Sequence, residues 1–426
     1  MVGGLALAGC GSPSRPTIRE SSEPVSGEPT TRSLQQLLNR RAEALKKGDE
    51  RAFLADLDES NDELIQQQRM VFANLRKLKI STFHYITERA RPAPPAGGAY
   101  RFGPVHEVLQ LNADAGPGGV SPAATFRITV VRRNAKLVIT EMLGITQGNR
   151  KELGIDGLPA DAPWYQMPLK VQHAGNVCLI SDTKVADLDR YAAVAQDEAR
   201  YVEELWGDRT RFPGHVLFFT RDEATFAKWF GLGSSGNFQP TIEGFEIPQF
   251  GVRKNGEIYT GQYAGARVVV NLKRIESFDD SPRRVMRHEL THAVSARATT
   301  IGPAEWLLGA PRWALEGFAR WAEGTGAASR QYAAGRFKGK LPSSTSFYGS
   351  SMAYNYAVSS TVFSCVERLK GRAAAVEFYE AVIQYNDMTG EPLVETPVFN
   401  AICKRVLGMS TDGFKQRWAT YVRTGA

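Results

Sequence analysis

Hydrophobic spacing changes twice along this chain, and these changes limit what it can fold into. Helical spacing comes first, with Leu34, Leu37, Leu38 and Leu45 on one face. Apolar and polar residues then alternate between about residues 80 and 143, and helical patterns dominate the remainder. Because 426 residues exceed the roughly 100 to 200 of an ordinary domain, we expect two folded units. The predicted fold class is α+β, with a small antiparallel-sheet domain followed by a largely helical one.

The first unit is predicted to span residues 33–145. Ser33 is the expected N-cap of its first helix, which ends before Gly48, and a second helix covers residues 62–75. Strand patterns follow, separated by runs rich in Pro and Gly, at residues 83–87, 100–111, 126–130 and 136–143. This order predicts helices packed on an antiparallel sheet.

Residues 40–54, with the run Arg-Arg-Ala-Glu-Ala-Leu-Lys-Lys-Gly-Asp followed by Phe-Leu, resemble the opening helix of NTF2-like domains. Such domains bind small molecules, pack on partners or act as spacers, so the resemblance assigns no functional residue. His84 and His106 are interpreted as strand residues rather than ligands. A connector containing Gly, Asp and Pro is expected over residues 146–163.

The second unit is predicted to span residues 164–426. Its first part contains strand patterns at residues 171–180, 216–220 and 267–272 and helical patterns at residues 184–206 and 224–230. Between them, a glycine-rich segment through Gly261 is interpreted as a loop or hairpin. The last of these strands comes just before the residues that carry chemistry.

A helix is predicted to begin at Ser281 and Pro282, an N-cap followed by proline at the first helical position. It carries the sequence His-Glu-Leu-Thr-His at residues 288–292. Side chains four apart lie on one helix face, so His288 and His292 can bind one ion. Glu289 can reach a water beside that ion without being a ligand. A surface helix with two solvated histidines is the alternative.

A catalytic zinc takes three protein ligands and keeps one position open, so a third ligand is needed. Pro311 begins a second helical pattern, which offers Glu316. Gly317, beside it, would let this helix approach the first one closely. Glu305 in the intervening loop and Glu323 at the helix end are the competing ligands.

The two motifs, HELTH and then PRWALEGFARW, resemble the gluzincin clan of zinc metallopeptidases, most closely the peptidase MA-like family, over about residues 260–371. The resemblance implies a zincin-like fold in which His288, His292 and Glu316 hold Zn²⁺. It also implies hydrolysis of a peptide or protein substrate with Glu289 as general base.

In that family a tyrosine stands at the head of a later helix, and Tyr356 fits this place. The resemblance implies that Tyr356 stabilises the oxyanion, and a packing role is the alternative. The GxMEN motif of gluzincin aminopeptidases is absent. We therefore expect an endopeptidase.

The N-terminus ends its first apolar stretch with Leu-Ala-Gly-Cys10, which resembles a bacterial lipobox. Only nine residues precede Cys10 and none is basic, so residues 1–10 are interpreted as a truncated lipoprotein signal. Residues 11–32 are polar and rich in Ser and Pro, which predicts a disordered linker. We therefore expect an extracytoplasmic protein, lipid-anchored at Cys10 to the bacterial cell membrane or secreted. A buried cysteine in a frayed terminus is the alternative.

The charge balance argues against a nucleic-acid partner. The 52 Lys and Arg are interleaved with 45 Asp and Glu, and no recognition helix or stacking motif accompanies them. Two other functions stay open: a non-catalytic cell-surface binding or scaffold lipoprotein with a vestigial or structural zinc site, and an N-terminal domain that is itself the functional unit.

The remaining cysteines, Cys178, Cys365 and Cys403, have no CxxC spacing, which argues against a cysteine zinc site. Cys365 and Cys403 both lie in apolar helical patterns. An exported protein could join them in a disulfide, and two buried thiols are the alternative.

Overall fold

The computed structural model describes residues 28–93, 97–115, 119–234, 242–278, 280–299, 309–385 and 392–426. Its α-helices, numbered in chain order, are α1 Thr31–Lys47, α2 Glu50–Leu54, α3 Asp62–Leu75, α4 Arg150–Leu153, α5 Asp189–Trp206, α6 Glu223–Lys228, α7 Leu272–Ser277, α8 Pro282–Ser295, α9 Arg312–Ala322, α10 Gly326–Ala334, α11 Met352–Lys370, α12 Arg372–Ile383, α13 Pro397–Ile402 and α14 Thr411–Thr424. Its strands are β1 Ile80–Ile86, β2 Arg91–Pro92, β3 Ala99–Leu111, β4 Ser121–Arg133, β5 Lys136–Gly144, β6 Leu169–Ala174, β7 Val177–Asp182, β8 His215–Thr220, β9 Gly244–Gln249, β10 Gly251–Val252, β11 Ile258–Tyr259 and β12 Gly265–Asn271.

Helix α1 begins with a capping box at Thr30. The Thr30 hydroxyl accepts a hydrogen bond from the Ser33 backbone N–H, and the Thr30 N–H donates to the Ser33 hydroxyl. The prediction of Ser33 as N-cap was wrong, because Thr30 is the N-cap and Ser33 is the N3 residue of the capping box. The helix ends at Gly48, as predicted, where φ is 75°. The second predicted helix is α3, with the expected bounds.

The first sheet is antiparallel, with strand order β1-β3-β4-β10-β11, β2 beside β3 and β5 beside β4. The four predicted strand patterns correspond to β1, β3, β4 and β5. Leu34 and Leu38 of α1 are buried in one core with Phe102 and Ile128 of the sheet. The predicted antiparallel sheet with a helix packed on it is therefore confirmed, and the likeness to NTF2-like domains stays a prediction.

The second sheet has the order β6-β7-β8-β12-β9. Strands β7, β8 and β12 are parallel, while β9 runs antiparallel to β12 at the edge. The single strand predicted at residues 171–180 was wrong: a turn at Gly175, with φ of 57°, folds the segment into the β6–β7 hairpin. Helix α5 also begins at Asp189, five residues later than predicted. Strand β9 lies in the segment predicted as loop or hairpin.

Helices cover one face of the second sheet. Val268 and Val270 of β12 share a core with Leu290 of α8, Phe318 of α9 and Phe363 of α11. Such a core needs an apolar face on each of these elements. The helical spacing of apolar residues provides that face on the three helices. The predicted α+β class, with an antiparallel-sheet N-terminal region and a largely helical C-terminal part, is confirmed.

The two sheets are joined by buried contacts. Asp114, just after β3, forms a two-point ion pair with Arg267 of β12 at 2.6 and 2.7 Å, and both side chains are at most 2% exposed. Gly251 and Val252 of β10 pair with the start of β4, so a segment beyond β9 completes the first sheet. The N-terminal region is therefore fixed against the strand that precedes the HELTH helix.

The three cysteines in the described residues, Cys178, Cys365 and Cys403, are buried and free, so the disulfide alternative is not realised. Cys10, the interpreted signal and residues 11–27 of the predicted linker lie outside the described residues. The predicted end of the linker at residue 32 was wrong, because Thr31 and Arg32 already belong to α1. Among the helices that are described, none combines the length and hydrophobicity needed to span a membrane.

Candidate metal centre

His288 and His292 lie on α8, which begins at Pro282 as predicted. Their Nε2 atoms are 3.3 Å apart, and His288 is buried. The helix is held in place by Glu198 of α5, a fully buried carboxylate that accepts hydrogen bonds from Arg283 and Arg287. The two imidazoles therefore face one point from a fixed backbone.

Glu316 of α9 faces the same point. Its Oε2 atom is 3.2 Å from Nε2 of His288 and 3.6 Å from Nε2 of His292. One ligand atom from each of the three residues lies within 4.8 Å of the others, and the described residues contain no second group of this kind. Two imidazoles and one carboxylate are a ligand set that a catalytic zinc takes.

Gly317 permits the packing of α9, but against a different helix from the one predicted. A Cβ atom at Gly317 would lie 2.7 Å from the backbone carbon of Ser359 in α11. The expectation that Gly317 lets α9 approach the HELTH helix was therefore wrong. The glycine lets α9 approach α11, which leaves Glu316 facing α8.

Glu323, a competitor for third ligand, contacts the other nitrogen of His288. Its Oε1 atom is 2.7 Å from Nδ1 of that ring, and the side chain is 1% exposed. Burial opposes ionisation of Glu323, but the bond to His288 and the charges of Arg320 and Arg284 outweigh it and lower its pKa. An ionised Glu323 fixes the ring so that Nε2 faces Glu316. Glu305, the other competitor, lies outside the described residues.

The carboxylates make the centre favourable for positive charge. Burial alone would lower the pKa of His288, yet hydrogen bonds to Glu316 and Glu323 raise it to about 10. The same imidazoles hold the pKa of Glu316 well below its usual range despite burial. A divalent cation supplies such positive charge.

Glu289 is buried beside the ligand set, with 8% of its surface exposed. Burial raises its pKa, and the neighbouring imidazoles of His288 and His292 partly oppose this. A Cβ atom at Gly244 would lie 3.2 Å from the Glu289 carboxylate and 2.7 Å from Val285 of α8. The edge strand β9 therefore passes directly over Glu289, and only glycine fits at that point.

Two tyrosines flank Glu316. The ring centre of Tyr356 in α11 is 5.9 Å from that of His288. Burial and the charge of Glu316 raise the pKa of the Tyr356 hydroxyl well above its usual range. Tyr348 donates to Oε1 of Glu316 and accepts from Nη1 of Arg312 at 3.0 Å. Sequence reasoning missed Tyr348, because it lies just before α11 without a motif of its own.

The centre opens into a cleft of about 770 Å³. Glu246 of β9 lines it, and among the described residues the Oε1 atom of Glu246 has no hydrogen-bond partner. Burial and the charges of Glu289 and Glu316 raise the pKa of Glu246 to about 8. Sequence reasoning missed Glu246 because it did not predict β9.

No protein-family model matches the chain, and a search of curated proteins finds no match. Among solved structures, the chain is similar to the M1 zinc metallopeptidase from Deinococcus radiodurans at 14% identity and a TM-score of 0.36, over 71% of this chain and 60% of that one. A mutant of that metallopeptidase bound to a Tyr-Ser-Ala substrate gives 15% identity and a TM-score of 0.34, over 71% of this chain and 61% of that one. A two-domain M1 zinc metallopeptidase mutant bound to L-tryptophan gives 14% identity and a TM-score of 0.35, over 80% of this chain and 84% of that one.

The chain thus spans about 60% of the length of the first of these structures. At such TM-scores the similarity does not bear on the chemistry of the site, which depends on the residues themselves. The likeness of the motif pair to the peptidase MA-like family stays a prediction.

Proposed function

We propose that this protein hydrolyses peptide bonds with a zinc ion held by His288, His292 and Glu316. The observation that carries the proposal is the convergence of these three side chains beside a buried carboxylate, Glu289. Two imidazoles with one carboxylate fit Zn²⁺ better than Mg²⁺ or Ca²⁺, which prefer all-oxygen ligands. When bound, such an ion acts as a Lewis acid that lowers the pKa of a water and polarises a carbonyl.

Glu289 is proposed as the general base and later the general acid. Its raised pKa lies closer to neutral pH than that of an ordinary carboxyl. This suits a group that takes a proton from water and returns it to the leaving amine. The side chain lies directly against Gly244 of the edge strand, which limits its position. Tyr356, whose ring lies beside that of His288 at the same centre, is proposed to stabilise the oxyanion.

We propose cleavage within a chain rather than at its end. The cleft follows β9 from Ile242 to Phe250, so there is room on both sides of the centre. In the described sheet β9 pairs only with β12, which leaves its other edge for an extended peptide. A substrate segment added there would cross the centre and continue in both directions.

Aminopeptidase activity, the removal of N-terminal residues, is a second candidate function. The single observation that favours it is the position of Glu246. The carboxyl group of Glu246, with one unpaired oxygen in the cleft, could accept a hydrogen bond from the ammonium group of a free N-terminus. Matched peptides with free and acetylated N-termini distinguish the two modes. Internal cleavage of both forms at equal rates supports an endopeptidase, and loss of cleavage on acetylation supports an aminopeptidase.

The deciding experiment is digestion of a diverse peptide mixture by the protein and by its Glu289→Gln variant, read by mass spectrometry with bound zinc measured in parallel. The expected result is cleavage by the parent only, with equal zinc in both proteins. If the variant cleaves as fast as the parent, the assignment of Glu289 fails. If neither protein cleaves any peptide although zinc is bound, the evidence moves to the non-catalytic binding or scaffold lipoprotein.

We also propose that Cys10 carries a lipid that holds the protein on the outer face of a bacterial cell membrane. The support is the lipobox-like sequence and the polar stretch that follows it. Metabolic labelling with a fatty-acid analogue tests this, with a Cys10→Ala variant as control. Equal labelling of both proteins would overturn it.

A further inference from the structure

A second cavity, of about 500 Å³, lies beside the catalytic cleft. Its walls come from α3, from β4 and β5 of the first sheet, from the segment between β5 and β6, and from α6. Gln147 and Gly231 line both this cavity and the cleft. The two cavities therefore adjoin at these two residues.

The wall between the two cavities is held by a specific backbone turn. Phe230 and Gly231 both have left-handed backbone conformations, with φ of 53° and 62°. The Phe230 ring packs edge-on against Trp164 and Phe218, with ring centres 6.5 and 5.1 Å apart. A non-glycine residue adopts this conformation only where its surroundings hold it there, so the turn is a fixed part of the fold.

Asp161 lies against this turn and lines the second cavity. Its carbonyl oxygen accepts hydrogen bonds from the Phe230 N–H, at 3.1 Å, and from Nε2 of Gln166. A Cβ atom at Gly231 would lie 3.0 Å from Oδ2 of Asp161. The carboxylate is thus positioned over the residue that the two cavities share.

The Asp161 carboxylate forms no ion pair within the described residues, although Lys228 of α6 lines the same cavity. Within the described residues, its only hydrogen-bond donor is its own backbone N–H, and no Lys or Arg charge acts on it. Burial raises its pKa to about 6. A largely buried carboxylate without a cationic partner costs free energy in folding, and a cationic ligand would recover it.

We propose that this cavity is a substrate subsite that binds a Lys or Arg side chain of the polypeptide being cleaved, with Asp161 as the recognising carboxylate. This inference rests on the proposed peptidase function. The cavity also presents the amide side chains of Gln67 and Gln166 at its rim, which can bond the substrate backbone. The N-terminal region thereby contributes directly to substrate choice.

The test uses the full chain and a set of quenched fluorescent twelve-residue peptides. Each peptide carries Lys at one position, and its matched partner carries Gln there. The parent should prefer Lys at one position, or at two adjacent ones, by about tenfold in kcat/KM, mostly through KM. In Asp161→Asn the Lys to Gln ratio at that position should fall to about one. Asp156→Asn, which changes an exposed carboxylate five residues earlier, should keep the parent's ratio.

A binding measurement separates failure of the subsite from failure of the peptidase function. Fluorescence anisotropy compares Lys and Gln peptides on Glu289→Gln and on the double variant with Asp161→Asn. Lys-selective binding that disappears in the double variant supports the subsite even if no peptide is cleaved. Equal binding of Lys and Gln peptides to Glu289→Gln, or a Lys preference that survives Asp161→Asn in either assay, overturns it.

Discussion

Replacing Glu323 should weaken zinc binding although Glu323 is not a ligand. Its Oε1 atom is 2.7 Å from Nδ1 of His288, and the residue is almost fully buried. Loss of such a partner costs about 10- to 100-fold in metal affinity, or roughly 1.4 to 2.7 kcal/mol. Glu323→Gln keeps an oxygen for the bond but loses the charge, which supplies about half of its strength. We therefore expect about a tenfold loss for Gln and a loss nearer a hundredfold for Glu323→Ala.

The assay is competition for zinc between the protein and a fluorescent chelator, which gives the apparent Kd directly. Glu377→Gln is the matched control, because Glu377 is exposed and lies on α12. Arg284 keeps its contact with Glu243 at 2.9 Å when Glu323 is changed, so the fold should survive. An apparent Kd for Glu323→Ala within twofold of the control would refute the positioning role.

Three further predictions follow from buried contacts. Arg267→Met leaves Asp114 buried without its partner and should lower the free energy of unfolding in urea by about 3 to 5 kcal/mol; a loss below 1 kcal/mol would contradict this. Gly244→Ala places a methyl group against Val285 and Glu289 and should lower kcat/KM more than tenfold with zinc content unchanged, whereas wild-type kinetics would show that β9 can shift. Burial raises the pKa of Asp161 to about 6 in the folded protein, above its value in the unfolded chain. The fold therefore loses stability as the pH rises above that unfolded-chain value and the carboxyl ionises. At pH 7.5 the free energy of unfolding of Asp161→Asn should therefore be about 1 to 3 kcal/mol higher than that of the parent, and at pH 3.5 the two should be equal. Equal free energies of unfolding at both pH values would exclude the effect.

The sequence predicted the ligand set because its geometry is local. His288 and His292 are four residues apart on one helix, and helix geometry alone places them on one face. Glu316 lies on a second helix whose proline start and apolar spacing are readable in the same way. Only the contact between the two helices is non-local. It could be predicted because a catalytic zinc needs a third protein ligand.

The remaining contacts could not be predicted in this way. Strand β9 reads as a glycine-rich loop because Gly244 and Pro248 are poor strand formers, and only its pairing with β12 makes it a strand. Glu246 therefore had no assigned place, and neither did the contact of Gly244 with Glu289. Tyr348 reaches the centre through packing of the segment before α11, which no short spacing encodes. Glu323 was expected as a competing ligand, but its bond to Nδ1 of His288 depends on how α9 packs against α8.

The joining of the two sheets explains why an N-terminal region accompanies the metal centre. Helix α8 follows β12, and β9, which covers Glu289, pairs with β12. Arg267 of β12 is paired with Asp114, and the chain leaves β9 to add β10 to the first sheet. Both β9 and β12 are therefore fixed at the N-terminal region. A displacement there would move β9 relative to α8, and Gly244 leaves no space for such a shift without contact with Glu289. The N-terminal region would thus act on the proposed chemistry through the position of one edge strand, whether or not its cavity also binds substrate.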